Sequence, residues 1–440
     1  VMVYKKSKFE KILIFFAALY PIIPAYFKIV GFSFPNLCCI TFILLSALYR
    51  KIRFIIKKNV VVFSVLLWMV INVGIYFYHF YFWGAIWCIC TVVAGMIFAD
   101  NINNERLFVR ILLTIVYVTG IVCMFGLIES ITGFRVFSIF NTSGDRIYIN
   151  PVRFGITRIV GFAYQTISYA VYLVLSGCLA FYLMTLKEYI SDKERKKIKC
   201  IYVLIVINIL LTLSRSAIFI FIISQVLLLW RMGMKKVLKM MFYSAVLVII
   251  ALVIMYLIAP KVFQQIQNIY YMMLAVIDNN YISRIATEFG NDNLNAVGTR
   301  TDIYEWVYEK VKDNIWLGVG FKTPFLYEYD AGNQYHTMIK KTAIEVEYLL
   351  TLYETGIWGL LSEIIVFISI IGKSAKNVLH RFLSKSWENK LSFNYLVLTI
   401  FACMILMYFM VNQSSEQYLL NIIIVLFIAY NSIGKVELNK

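Results

Sequence analysis

Long apolar runs alternate along this chain with short segments rich in lysine and arginine. The runs lie at about 12–27, 29–49, 59–80, 81–99, 107–128, 164–186, 200–213, 217–230, 240–259, 346–371, 391–411 and 417–433. Crossing roughly 30 Å of hydrocarbon takes about 20 apolar residues, so most of these runs are long enough to span a bilayer. They are continuous, whereas barrel strands read as short alternating segments. A helix satisfies its own backbone in lipid, so the pattern predicts membrane helices. One long polar segment breaks the rhythm, from Pro260 to Glu345. The fold expected is an all-α polytopic membrane protein of about twelve transmembrane helices, with a large, partly helical loop between the ninth and tenth. The chain then divides into 1–259 (helices one to nine), 260–345 (the loop) and 346–440 (helices ten to twelve).

Composition agrees. With 61% hydrophobic residues, 15% charged and a mean hydropathy of +0.77, an ordinary soluble domain is excluded. The net charge of +18 would fit nucleic acid, but its placement argues for topology. Lys5, Lys6, Lys8 and Lys11 precede the first span, and Arg50, Lys51, Arg53, Lys57 and Lys58 follow the second. Lys187 to Lys199, Arg231 to Lys239 and Lys373 to Lys390 form three further clusters. With the N-terminus in the cytoplasm and twelve alternating helices, these dense loops all fall on the cytoplasmic side with most of the 42 Lys/Arg, as the positive-inside rule requires. The C-terminus is then cytoplasmic as well. Segment 129–163, Arg215 and 260–345 fall outside. The first span lacks a small-residue cleavage site and reads as an uncleaved helix. The cysteines sit in or beside apolar runs, as small buried hydrophobes do, so no metal site is expected. No GxxxxGK[ST] or strand-borne GxGxxG supports nucleotide binding.

Candidate chemistry sits in the polar stretches. Arg215, between two apolar runs in Leu211-Thr-Leu-Ser-Arg-Ser-Ala217, is either a working cation or a snorkelling helix-end arginine. Arg300 opens Gly298-Thr-Arg-Thr-Asp-Ile-Tyr-Glu-Trp-Val-Tyr308. There Asp302 and Glu305 have capping-box spacing, and Ile303, Trp306, Val307 and Val311 line one face of an amphipathic helix near 302–312. Gly318-Val-Gly320 reads as a tight turn permitting close backbone approach. His336 is a loop histidine suited to base chemistry near neutral pH. Glu345 and Glu347 stand where the loop re-enters the membrane, either as working carboxylates or as partners of an external arginine. An aromatic turn, His79-Phe80-Tyr81-Phe82-Trp83, reads as an interfacial belt.

Four segments together resemble the O-antigen ligase and polymerase superfamily of bacterial polysaccharide assembly. Arg158-Ile-Val-Gly-Phe162 is similar to its arginine–glycine–aromatic segment before span six, and Thr212-Leu-Ser-Arg-Ser216 to its Ser-Arg-Ser turn. Arg300 through Trp306 to Gly318-Val-Gly-Phe321 resembles its loop element, and Glu347-Tyr-Leu to Gly356-Ile-Trp-Gly359 its closing helix. The chain departs from the pattern where the family often has His-Asn, at Glu345 and Val346, and where a proline is usual, at Ile315. The resemblance implies a GT-C-like glycosyltransferase at the external face of a bacterial cytoplasmic membrane. Its donor is a glycan on polyprenyl pyrophosphate, its acceptor a sugar hydroxyl, and neither ATP nor metal is required. It implies Arg215 and Arg300 as pyrophosphate clamps, with Glu345, Glu347 or His336 as base. Arg158, Arg284, Tyr304, Trp306 and Tyr348 become substrate contacts. Missing the His-Asn favours a polymerase over a ligase. A chain-length regulator is a conceivable partner, and nucleic acid is not. The rival from another class is a flippase without chemistry.

Overall fold

The computed structural model describes residues 7–52, 59–142, 152–153, 156–231, 299–321, 323–330, 338–341, 344, 346–383, 391–410 and 418–437. Expected span nine and positions Arg284, His336 and Glu345 lie outside these residues. The described chain is predominantly helical. Its helices are α1 Lys8–Leu19, α2 Phe34–Leu48, α3 Val60–Tyr78, α4 Phe82–Asn101, α5 Glu105–Thr132 and α6 Thr166–Thr185. There follow α7 Asp192–Leu211, α8 Arg215–Trp230, α9 Thr299–Val311, α10 Glu347–Leu383, α11 Phe393–Met410 and α12 Tyr418–Glu437. Among the described residues five helices are long and apolar enough to cross a membrane: α3, α4, α5, α6 and α10. Shorter apolar helices cover Phe34–Leu48, Ser216–Trp230, Phe393–Tyr408 and Tyr418–Ile433.

Several boundaries differ from the sequence expectation, each for a local reason. The first apolar run does not stay helical to 27. Pro21 and Pro24 follow α1, and proline has no amide to continue a helix. The second run yields a helix only from Phe34. Residues 28–33 form a small hairpin, β1 Lys28–Ile29 with β2 Phe32–Ser33, turning at Val30 and Gly31 with φ of 53° and 82°. Pro35 then occupies the first turn of α2, where its missing amide costs nothing. In contrast, α7 begins eight residues before the expected 200. A capping box between Ser191 and Glu194 starts the helix inside the basic cluster, so Lys193 to Lys199 ride on its first turns.

Helix α6 is the hub. Every residue from Ser168 to Leu183 is buried, and it touches α5, α7, α8, α11 and α12. Its small residues allow this, since transmembrane helices approach closely where Gly, Ala and Ser face each other. A side chain at Gly177 would stand 2.7 Å from the Phe221 ring of α8. On the outer helix α3, exposed Phe63, Val70 and Phe77 recur every seventh residue, one stripe of a surface suited to lipid.

The loop contacts sort into two faces. On one, Tyr26 donates to Phe137 O, Lys28 N to Thr142, Arg158 to Thr212 O, and His79 Nε2 bonds Leu317 O. On the other, Asn101 donates to Lys51 O, Tyr189 to Glu105, Tyr395 to Leu227 O, and Asn377 to Asn394 and Asn431. Each of these bonds joins segments that the alternating twelve-span reading puts on the same side.

Part of the long loop packs as a helix on α10. α9 carries Ile303, Val307 and Val311 fully inward, with Trp306 packed beside them, against Leu349 and Tyr353 of α10. Tyr304 and Tyr308 point outward. The amphipathic face is as expected, but the helix includes Thr299 and Arg300, so Asp302 and Glu305 lie within it rather than at its cap. A hairpin, β5 Tyr327–Asp330 with β6 Met338–Lys341, was not foreseen; it pairs Glu328 with Lys340. A two-residue pairing of β3 Val152–Arg153 with β4 Ile156–Thr157 precedes Arg158.

Candidate functional site

Two junctions lie on the face that carries Arg158 and His79. At the first, α7 ends at Leu211 and α8 begins at Arg215, so the corner is Thr212-Leu-Ser214 and Arg215 is the first helical residue. Leu213 holds φ of 50°, a left-handed conformation that a branched side chain adopts only at a cost. Thr212 Oγ1 bonds Ile209 O at 2.6 Å and accepts from Ser214 N at 3.3 Å, which pins the corner. Segment 156–163 lies across it. Arg158 Nε donates to Thr212 O at 2.8 Å, and Ile159 N to Leu211 O at 3.4 Å. Two arginines 57 positions apart in sequence are thereby brought to one corner. Behind it, buried Asn208 donates to Cys123 O and Leu204 O and accepts from the Tyr169 hydroxyl, locking α7 to α5 and α6.

The second junction joins the loop to α10. That helix is broken at Gly356, whose φ of 67° and ψ of −166° lie far from helical values. A break leaves amides and carbonyls without intrahelical partners, and in lipid neighbouring backbone must supply them. The Asn314–Gly320 turn does so. Val319 N donates to Tyr353 O at 2.7 Å, Ile357 N to Ile315 O at 2.9 Å, and Trp358 N to Trp316 O at 3.2 Å. Such contact requires bare backbone on both sides. A Cβ on Gly318 would lie 2.6 Å from Gly356 N, and one on Gly356 would lie 2.5 Å from Gly318 N. The aromatic turn between α3 and α4 braces the same loop, with His79 Nε2 3.0 Å from Leu317 O and Tyr81 stacked on Phe321. Between them lies an open cleft of about 740 Å³ lined by Phe77, Tyr78, Phe80, Lys310, Asp313 and Asn314. Nearby, the Glu309 carboxylate holds the exposed Lys312 ammonium above its ordinary pKa through a 2.7 Å bond.

The break also gathers carboxylates. Thr351, before it, donates to Glu363 Oε2, after it, at 3.2 Å. Twelve residues of straight helix would separate them by about 18 Å, so the two arms fold sharply towards each other. The continuous tenth span expected over 346–371 is therefore two helices, a short arm before Gly356 and a long arm after it. Glu347, at the start of the short arm, is 1% exposed. It lies within electrostatic reach of Glu363, with the hydroxyl groups of Tyr348 and Tyr408 beside the pair. Tyr348 donates to Ile405 O of α11 at 3.5 Å, and its ring meets that of Tyr408.

Helix α11 links the junctions. Tyr395, near its start, donates to Leu227 O near the end of α8, so the two helices run antiparallel. Twelve residues back along α8 is Arg215, and twelve forward along α11 is Met407, about 18 Å along each. Arg215 and Met407 therefore lie towards the same end of this antiparallel pair.

Of the residues singled out in the sequence, Arg158 and the Arg215 corner come together, as do Gly318 and Gly356. Trp306 packs inward beneath α9, while Tyr304 is exposed and Tyr348 half-buried. Arg300 lies in the first turn of α9. Sequence reasoning missed Glu363, and with it Glu129, which is buried near the end of α5. The available signal was a carboxylate within an apolar run, which is costly unless paired or used. No curated protein matches the chain. Residues 200–363, from α7 through the broken helix to Glu363, match the family described as O-antigen ligase, which supports the resemblance of this part of the chain to the O-antigen ligase/polymerase superfamily.

Proposed function

We propose that the protein is a membrane glycosyltransferase that polymerises polyprenyl-pyrophosphate-linked oligosaccharide repeat units into a surface polysaccharide. The reaction belongs to the external face of a bacterial cytoplasmic membrane, with both termini in the cytoplasm. The observation that carries this reading is the convergence on one face of the Arg158–Arg215 corner and the Glu347–Glu363 pair. Each supplies one half of the chemistry.

The donor's leaving group is a polyanion, and charge builds on it as the glycosidic bond to phosphate breaks. Guanidinium groups bind phosphate in a bidentate manner, and cations fixed in advance stabilise that developing charge. Arg215 and Arg300 take this role, with Arg158 beside Arg215 and Arg284 as a further contact. The acceptor hydroxyl attacks the anomeric carbon and must lose its proton. Glu347, with Glu345 and His336 as further candidates, receives it. Tyr304, Trp306 and Tyr348 offer aromatic and hydroxyl contacts to sugar. A chain-length regulator would act on this same face.

The matched family's description as a ligase favours a second reading, in which finished polymer is moved to another acceptor. One reconstitution separates them. Purified protein in liposomes receives a synthetic lipid-pyrophosphate oligosaccharide, without added nucleotide, and lipid-linked products are resolved by size. A ladder abolished by Arg215→Ala and by Arg300→Ala, with folding intact, supports the polymerase. Transfer only to an added acceptor makes it a ligase. Lipid crossing the bilayer with no bond formed overturns both in favour of a flippase.

A further inference from the structure

Segment 156–163 carries Arg158 to the corner that precedes Arg215, yet it has almost no regular structure of its own. Besides its bonds to Leu211 and Thr212, two buried charges grip its backbone. Glu129, 1% exposed in α5, accepts from Val160 N at 3.1 Å through Oε1 and from Gly161 N at 2.9 Å through Oε2. Arg135, 6% exposed just after α5, donates from Nε to Gly161 O at 3.0 Å and from a terminal nitrogen to Ala163 O. Its guanidinium also lies 5.5 Å from the Tyr26 ring centroid. A carboxylate thus grips two consecutive amides while a guanidinium six residues later grips two carbonyls of the same segment. Gly161 turns the chain between them with φ of 60°, and any side chain there would meet the Tyr169 ring at 2.7 Å.

We infer that Glu129 and Arg135 are positioning residues for the substrate-binding cation at Arg158, and through Thr212 for Arg215. This rests on the reading of those arginines as phosphate contacts. Neither Glu129 nor Arg135 needs to touch substrate. A buried carboxylate has strong hydrogen bonds to amides that no neutral side chain reproduces. They fix Val160 and Gly161, two and three residues beyond Arg158, so the Arg158 Nε bond to Thr212 O keeps its geometry. An error of about 1 Å in a catalytic contact costs roughly a hundredfold in rate, so the clamp matters although it lies behind the site.

Glu129→Gln tests this. It keeps the shape but loses the charge and points an amide NH₂ at a backbone N–H. The ladder rate should fall about ten- to a hundredfold in Glu129→Gln and in Arg158→Ala, with both variants monodisperse and thermally folded. In the double variant the rate should equal that of Arg158→Ala, because residues acting through one another do not add. Arg135→Lys, which keeps the charge and loses the fork, serves as the second probe should Glu129→Gln not fold. Hydrogen exchange supplies a readout independent of turnover: amides of 159–163 and of 211–214 should both exchange faster in either clamp variant. Multiplying losses, unchanged turnover in Glu129→Gln, or faster exchange confined to 159–163 would overturn the inference. If Arg158→Ala alone leaves the rate unchanged, the reading of Arg158 fails instead, and exchange at 211–214 still decides whether the clamp sets that corner.

Discussion

Replacing Gly318 by alanine attacks the junction between the loop and the broken helix at its tightest point. Two costs add there. Gly318 sits at φ of 73°, where an alanine loses about 1–2 kcal/mol relative to its preferred conformations. The new methyl would also stand 2.6 Å from Gly356 N and 2.7 Å from Glu354 C and Thr355 N. Those atoms are backbone, so no side chain can swing away. The turn must lift, weakening three cross-junction bonds: Val319 to Tyr353, Ile357 to Ile315 and Trp358 to Trp316. Each contributes about 1 kcal/mol, more where the exposed groups are left without water. Together these terms come to about 4–5 kcal/mol locally. The purified variant should melt at least about 5 °C lower. It should also lose most ladder formation, because the lifted turn no longer holds Thr351 and Glu363 across the bend. Gly372→Ala is the control. Gly372 lies in the long arm of α10 with nothing within 4 Å of a new Cβ, so that change should leave activity intact and raise stability by up to about 1 kcal/mol. A Gly318→Ala protein that melts within about 1 °C of wild type and polymerises normally would refute the reasoning.

Three further outcomes are expected. Glu363→Gln and Glu347→Gln should each reduce turnover by at least about tenfold, since base catalysis contributes roughly a hundredfold or more; full activity in both, measured by the same ladder assay, would remove the carboxylate pair from the mechanism. Asn208→Ala should destabilise by about 2–3 kcal/mol, read as a lower melting midpoint, because it deletes two buried hydrogen bonds, to α5 and α6, and a part-buried one within α7. In intact cells a membrane-impermeant maleimide should label an introduced cysteine at Thr142 and spare one at Lys51, while reversed labelling would invert the proposed topology.

The sequence alone determined the mostly helical, apolar fold class and proposed its division into two faces. Bilayer thickness sets the length of an apolar run and positive charge sets its orientation, and both are readable without any contact. The inward stripe of α9 was legible for a similar reason, since Ile303, Val307 and Val311 follow the helical period. Local punctuation was legible in part. The capping-box spacing of α9 was misplaced, and Pro21, Pro24 and Pro35 were hidden inside runs whose hydropathy dominated the reading. The tenth span shows the limit of this logic. Its hydropathy is continuous across Gly356, and only the tertiary structure reveals a break, because the backbone partners for Tyr353, Ile357 and Trp358 come from a turn some forty residues earlier. The same holds for the candidate face. Arg158 and Thr212, Glu129 and Gly161, and His79 and Leu317 are far apart along the chain, and only the packing of α5, α7, α3 and α10 brings each pair within hydrogen-bond distance. Periodicity records which residues are buried, but the partner that makes a buried charge affordable is chosen by the fold.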